Sequence, residues 1–275
     1  MSMNSFHGRQ PRPAPSLRHK ARPGRQGLRL DQVLVEQGLA ASRSIAQRLI
    51  AAGRVRHAGE VLRKPALLVP ADACLEVEPD DADRYVSRGG LKLAGALRHS
   101  GIDVRGCVCL DVGQSTGGFS DCLLQAGAAR VVGVDVGHGQ LHPRLVADPR
   151  VTALAGINCR SLTAADLGAA LPAAGFDLIV ADVSFISLTL ILPCLPALLA
   201  AHGQMLLLVK PQFEVGPGGI GKGGIVRDPA LYLEVERKLR QCCAALRLEV
   251  RDWFDSPISG SDGNREFFIW TRHAH

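Results

Sequence analysis

The sequence predicts a doubly wound, Rossmann-like α/β sheet with an antiparallel last strand, preceded by a small N-terminal α+β domain. Three observations carry this. Five apolar runs, 108–112, 130–136, 151–157, 177–181 and 204–209, alternate with helical segments, as parallel strands joined by crossovers do. The first run ends in a glycine-rich turn, Asp111-Val112-Gly113-Gln114-Ser115-Thr116-Gly117-Gly118-Phe119. The last two runs, 246–253 and 266–271, have no helix between them and suit an antiparallel edge pair. A hydrophobic content of 47% supplies a core for one large or two unequal domains, and with only 4% aromatics its packing must be aliphatic.

The elements follow in order. Residues 1–27 hold six positive charges, no acid and four prolines, which predicts a disordered basic tail. Formal net charge is +6, so the rest of the chain nets to zero. The tail lacks the apolar stretch of a signal peptide, and could hold RNA electrostatically or be a solvated extension. Residues 28–80 form a separate unit. Leu30, Val33 and Leu34 have helical spacing, with Gly38 as the stop. Ser42 can cap a second helix whose apolar face is Ile45, Ala46, Leu49 and Ile50, ending at Gly53. Short strands follow from Val55, at 61–62 and at 75–77. Arg43, Arg48, Arg54, Arg56, Arg63 and Lys64, with Arg29 before them, can form one basic face for a phosphate backbone.

Residues 81–90 read as a polar linker, and 91–275 as the sheet domain. Its helices are expected after Gly118, near 162–170, over 188–201 and over 229–246. The stretch 183–209 has no formal charge, but Pro193 and Pro196 interrupt it and His202-Gly203 divides it. It reads as a buried helix and a buried strand, not a membrane span. Eight cysteines without a Cys-x-x-Cys pair read as buried, reduced thiols of a cytoplasmic protein, with no metal site.

In doubly wound sheets ligands bind beyond the carboxyl ends of the strands. The polar residues there are Asp111, Asp135, Asn158, Asp182 and Lys210. Asp135, ending the second strand, suits the two hydroxyls of a ribose. The turn lacks the Gly-x-Gly-x-x-Gly spacing that seats a pyrophosphate, and it opens with an acid. An acid repels a pyrophosphate but suits a cofactor with an ammonium and a sulfonium. This favours S-adenosylmethionine, held by Asp111, Gly113, Ser115, Thr116, Gly117, Gly118, Phe119 and Asp135. Asn158 either contacts the adenine edge or caps a helix. Lys210 follows an apolar strand that keeps its amine poorly solvated, which suits a general base. Asp182 can orient it, Lys92 supplies a second cation, and Glu266 can order the lysines or hold a substrate hydroxyl.

Rival motifs fail on context. The run from Gly216 to Lys222 starts like a P-loop but has Gly223 where magnesium needs Ser or Thr. Pro193-Cys194 falls within a helix, not at a strand end. Asp182-Val183-Ser184-Phe185 is not the prolyl-aromatic turn of a base-nitrogen methyltransferase.

The run Arg29-Leu30-Asp31, Gly38-Leu39, Ser42-Arg43, Ala46, Leu49-Ile50, Gly53, Val55, Gly59, Lys64-Pro65 resembles the RNA-binding module of ribosomal small-subunit protein four. Lys92, Asp182, Lys210 and Glu266 resemble the catalytic tetrad of FtsJ-type RNA ribose 2′-O-methyltransferases. The runs 87–93, 182–188, 210–214 and Gly263-Asn264-x-Glu266 are similar to the TlyA family, also known as hemolysin A. The resemblance implies methyl transfer from S-adenosylmethionine to a ribose 2′-hydroxyl of cytidine in ribosomal RNA. It implies ribosomal RNA or ribosomal subunits as partners, with no membrane and no obligate protein partner. Two other classes stay open: a membrane-active hemolysin, and an RNA-binding assembly factor whose methyl transfer is incidental.

Overall fold

A computed structural model describes residues 27–79 and 84–274. The expected basic tail, apart from Gly27, and the start of the expected linker lie outside these residues. The chain divides into two compact units after Pro79.

The first unit opens with β1 (Leu28–Arg29), then α1 (Leu30–Glu36) and α2 (Arg43–Ala51). Ser42 caps α2, its hydroxyl accepting from the Ile45 amide at 3.4 Å. Gly38 and Gly53 end the helices with φ of +71° and +72°. β2 (Val55–His57), β3 (Glu60–Val61) and β5 (Leu75–Val77) form a small antiparallel sheet in the order β3-β2-β5. β1 pairs with β4 (Leu68–Val69), a two-residue ladder too short to leave a sequence pattern. Leu30, Val33, Leu34, Ala46, Ile50 and Val55 fill the core.

One buried charge organises this unit. The Asp31 side chain is sealed from solvent. It accepts from Arg29 Nε at 3.0 Å, from the Arg43 guanidinium at 3.0 Å and from Gln47 Nε2 at 2.8 Å. The Arg29 hydrogen bond, before all else, holds its carboxyl well below the usual carboxylate range.

The second unit contains α3 (Gly89–Ser100), β6 (Val108–Val112), α4 (Gly118–Gln125), β7 (Arg130–Asp135), α5 (Pro143–Val146), β8 (Val151–Ala155), α6 (Ala164–Leu167), β9 (Phe176–Ala181), β10 (Leu199–Val209), α7 (Pro211–Glu214), α8 (Pro229–Ala245), β11 (Leu248–Asp255) and β12 (Phe267–His273). The seven strands lie in the order β11-β12-β10-β9-β6-β7-β8. β10, β9, β6, β7 and β8 are parallel; β12 runs antiparallel between β10 and β11. Period-two alternation sorts the side chains into two layers. Cys109, Val131, Leu178, Leu206 and Phe268 pack under α3 and α4. Leu110, Val132, Ile179, Leu207 and Ile269 pack on the other face with Val235, Leu239 and Cys243 of α8.

Two expectations need correction. The helix expected over 188–201 is three short 3-10 turns, Leu188–Leu190, Leu192–Cys194 and Pro196–Leu198, after which β10 begins at Leu199. Pro193 and Pro196 have no amide hydrogen and start new turns instead of continuing an α-helix. The turns still bury Leu188, Ile191, Leu192, Leu195 and Leu198 against the sheet. The cysteines are free thiols, but not all are buried: Cys74 is exposed in the loop before β5, and Cys107, Cys159, Cys194 and Cys242 are half-buried. Among the described residues no helix is long and apolar enough to cross a membrane.

The depressed Asp31 carboxyl gives a pH prediction with a definite sign. Its contribution to stability is present above its unfolded value, about pH 4, and is lost as pH falls from there. Asp31→Ala is expected to lower the thermal midpoint of the first unit by roughly 4–8 °C at pH 7, with the gap closing as pH falls below about 4.

Candidate active site

The cleft lies where the carboxyl ends of β6, β7, β9 and β10 meet, and it consists of three adjoining cavities. The first, about 410 Å³, is lined by Asp135, Val136, Gln140, Asn158, Ile186 and Ile191 among others. The second, about 150 Å³, lies along the glycine-rich turn at Gly113–Thr116 and Gly118-Phe119. The third, about 430 Å³, is lined by Lys92, Phe185, Lys210, Gln212, Phe213 and Glu266. Gly113, Ser115 and Asp182 are shared by the first two, and Ser184 borders all three.

The turn after β6 needs left-handed backbone at Gly113 (φ +83°), Ser115 (φ +49°) and Gly117 (φ +91°). Its glycines make room chiefly for other parts of the protein. A Cβ on Gly113 would lie 2.8 Å from the Asp182 carbonyl oxygen, one on Gly117 would strike Leu141 and Leu145, and one on Gly118 would strike the Ser87 hydroxyl. The Ser115 amide donates to Asp135 Oδ2 at 2.8 Å, and the Gly137 amide donates to Oδ1 at 2.7 Å. The Asp135 carboxylate is thereby pinned facing the first cavity.

Asp111 and Gly117 do not line the cleft, contrary to expectation. Gly117 is covered by Leu141 and Leu145. Asp111 is fully buried and accepts from the Ser120 hydroxyl at 2.7 Å, which in turn accepts from Gln114 Nε2 at 2.8 Å. Its Oδ1 has no hydrogen-bond partner. Burial pushes its carboxyl up to about 7; the Ser120 hydrogen bond opposes this and the Asp182 charge adds to it. Asn158 caps the short turn that follows it, its side chain accepting from the Arg160 amide at 3.1 Å, and it also lines the first cavity.

These features fit S-adenosylmethionine. The pinned Asp135 carboxylate suits a ribose diol, and Val136, Ile186 and Ile191 offer apolar walls to an adenine. Asp111 leads into the turn, and a cation bound there would favour the ionised form of its buried carboxyl.

Two ion pairs meet beside the third cavity. Lys92 from α3 pairs with Glu266, just before β12, at 2.6 Å. Lys210, just after β10, pairs with Asp182, just after β9, at 2.7 Å. Side-chain exposure is 9% and 2% in the first pair, 11% and 22% in the second, so neither is a loose surface contact. Burial, opposed by Lys92, raises the Glu266 carboxyl. Lys92, expected as a second cation for Lys210, thus has its charge answered by Glu266.

Supporting residues escaped sequence reasoning. Glu214 is buried; it accepts from the Leu188 amide and the Ser187 hydroxyl at 2.6 Å each and from Lys238 at 3.0 Å. It thereby holds the 184–188 segment. Asn264 donates to the Gly224 carbonyl at 2.9 Å and accepts from the Val226 amide at 2.9 Å, tying the glycine-rich segment to the approach of β12. A polar residue at the end of a cleft motif was the only signal of either.

In the first unit, four of the expected RNA-contacting residues have internal partners. Arg29 and Arg43 serve Asp31; Arg54 donates to the Glu78 carbonyl at 2.8 Å and Arg56 to the Glu78 carboxylate at 2.5 Å. Arg48 and Lys64 are exposed.

A Rossmann-like sheet with this cleft defines an S-adenosylmethionine-dependent methyltransferase. The FtsJ-like methyltransferase model matches residues 85–273, and the S4 domain model matches residues 28–73. The 16S/23S rRNA (cytidine-2′-O)-methyltransferase TlyA of Mycobacterium tuberculosis is 45% identical over 89% of each chain. Hemolysin A of Brachyspira hyodysenteriae is 37% identical over 87% of this chain and 98% of its own. A solved candidate hemolysin from Streptococcus thermophilus is 37% identical with a TM-score of 0.69, covering 90% of this chain and 89% of its own. The chain belongs to the TlyA family of FtsJ-like methyltransferases. Among the described residues no group of His, Cys, Asp and Glu is placed to hold a metal ion.

Two measurements check the cofactor residues. Asp135→Ala is expected to raise the dissociation constant of S-adenosylhomocysteine about tenfold or more by calorimetry, with little change in thermal midpoint. A carboxyl that keeps its proton to about 7 when folded, but only to about 4 when unfolded, destabilises the fold as pH rises across that window. The midpoint of cofactor-free Asp111→Asn should therefore rise relative to wild type between about pH 4 and 7, and a constant difference would refute the assignment.

Proposed function

We propose that this chain transfers a methyl group from S-adenosylmethionine to the ribose 2′-hydroxyl of a cytidine in ribosomal RNA. The observation that carries the reading is the meeting of one buried and one half-buried lysine–carboxylate pair at a cavity adjoining the cofactor cavities. Its cytidine specificity rests on family membership and on the names of the relatives. The S4 domain supplies RNA affinity, with Arg48 and Lys64 available to phosphates. Ribosomal subunits are the proposed physical substrate and the cytoplasm the proposed location.

When bound, S-adenosylmethionine supplies a methyl group on a sulfonium, a leaving group that needs no acid from the protein. What remains for the protein is to align a hydroxyl and remove its proton. Lys210 is the base: its Nζ takes the 2′-hydroxyl proton as the oxygen–carbon bond forms. Asp182, at 2.7 Å, holds Lys210 in place and balances the charge it gains. Glu266 orients the ribose, and Lys92 fixes one Glu266 oxygen and offsets its charge.

The test uses tritiated S-adenosylmethionine, ribosomal RNA free and in subunits, and alkaline digestion of the product. Label in an alkali-resistant dinucleotide is expected, reduced about 10²- to 10⁴-fold by Lys210→Ala. Label in ordinary mononucleotides would overturn ribose methylation, and full activity of the variant would overturn the base assignment.

A further inference from the structure

Lys210 has a partner besides Asp182. Its Nζ donates a hydrogen bond to the Ser184 hydroxyl at 2.7 Å, while its contact with Asp182 Oδ1, also 2.7 Å, is an ion pair without hydrogen-bond geometry. Ser184 is exposed and borders all three cavities, so it stands where cofactor and acceptor must meet.

A neutral amine has two N–H bonds and one lone pair arranged about nitrogen. One acceptor fixes one N–H bond and leaves two positions between which the lone pair and the other N–H bond can exchange. A negative charge on another side favours the arrangement that turns the second N–H toward it and the lone pair away. We propose that Ser184 is a positioning residue that accepts one N–H bond of Lys210 and, beside the Asp182 charge, aims its lone pair at the acceptor hydroxyl. The proposal rests on Lys210 being the base.

The segment that carries this serine is tied down at Ser187 and Leu188. Phe185, next in the chain, has φ of +64°, a left-handed conformation that a bulky side chain adopts only when its surroundings impose it. The Glu214 carboxylate supplies that constraint by binding the Leu188 amide and the Ser187 hydroxyl. A serine on a loose loop would cost the lysine as much order as it gave.

The test compares wild type, Ser184→Ala, Ser184→Thr, Lys210→Ala and the Ser184→Ala/Lys210→Ala double variant in single-turnover methylation of ribosomal RNA. Ser184→Ala is expected to lower the rate about tenfold while leaving the S-adenosylhomocysteine dissociation constant and thermal midpoint unchanged. Ser184→Thr keeps the hydroxyl and should recover most of the rate. In the Lys210→Ala background, loss of Ser184 should cost nothing further. A rate within twofold of wild type for Ser184→Ala, with Lys210→Ala strongly impaired, overturns the serine's role alone. A loss matched by weaker cofactor binding, or an additive double variant, also overturns it. Full activity of Lys210→Ala would instead remove the reading on which it rests.

Discussion

Four charged side chains gather beyond the carboxyl ends of the strands, and none could stay there alone. Removing an ammonium or carboxylate from water costs several kcal/mol, recovered only by close pairing. Lys92 comes from α3, Asp182 from the end of β9, Lys210 from the end of β10 and Glu266 from the start of β12. Pairing at 2.6 Å and 2.7 Å therefore binds a helix to the last strand and two neighbouring strand ends to each other. The hydrophobic layers build the sheet, but these pairs set the relative positions of its ends. That is where a reaction requiring sub-ångström placement has to happen.

The same economy recurs in the first unit. Asp31 is as buried as any core leucine there, and it holds two arginines that sequence alone assigned to RNA. Both remain about half exposed, with side-chain values of 43% and 57%. They can meet a phosphate while still bound to Asp31, so the carboxylate orders them without removing them from the surface.

The strands were legible wherever burial on both faces demanded an unbroken apolar run. Val108–Val112 matches its expected limits, and the other parallel strands share most of theirs with the expected runs. The 188–198 stretch misled because apolar content reports burial, while the two prolines decide which backbone delivers it. Asp182 and Lys210 were legible because charged residues at the ends of apolar strands are costly and so conspicuous, whereas Lys92, on α3, and Glu266 joined them through the resemblance to the FtsJ-type tetrad. What stayed hidden were neutral or locally satisfied groups. Ser184, Glu214 and Asn264 act through backbone geometry and partners distant in sequence, which no spacing encodes.

β12 is the last strand in the chain but not the last in the sheet. It is inserted between β10 and β11, and Glu266 immediately precedes it. During synthesis, β10 and β11 must wait with open edges until residues 267–273 leave the exit tunnel. Until then Lys92 has no carboxylate and the sheet has a gap of one strand. The first unit has its own core and no such dependence. A nascent chain could thus hold RNA well before it could modify any, and its exposed strand edges are the surface that early release or slow translation would leave open to aggregation.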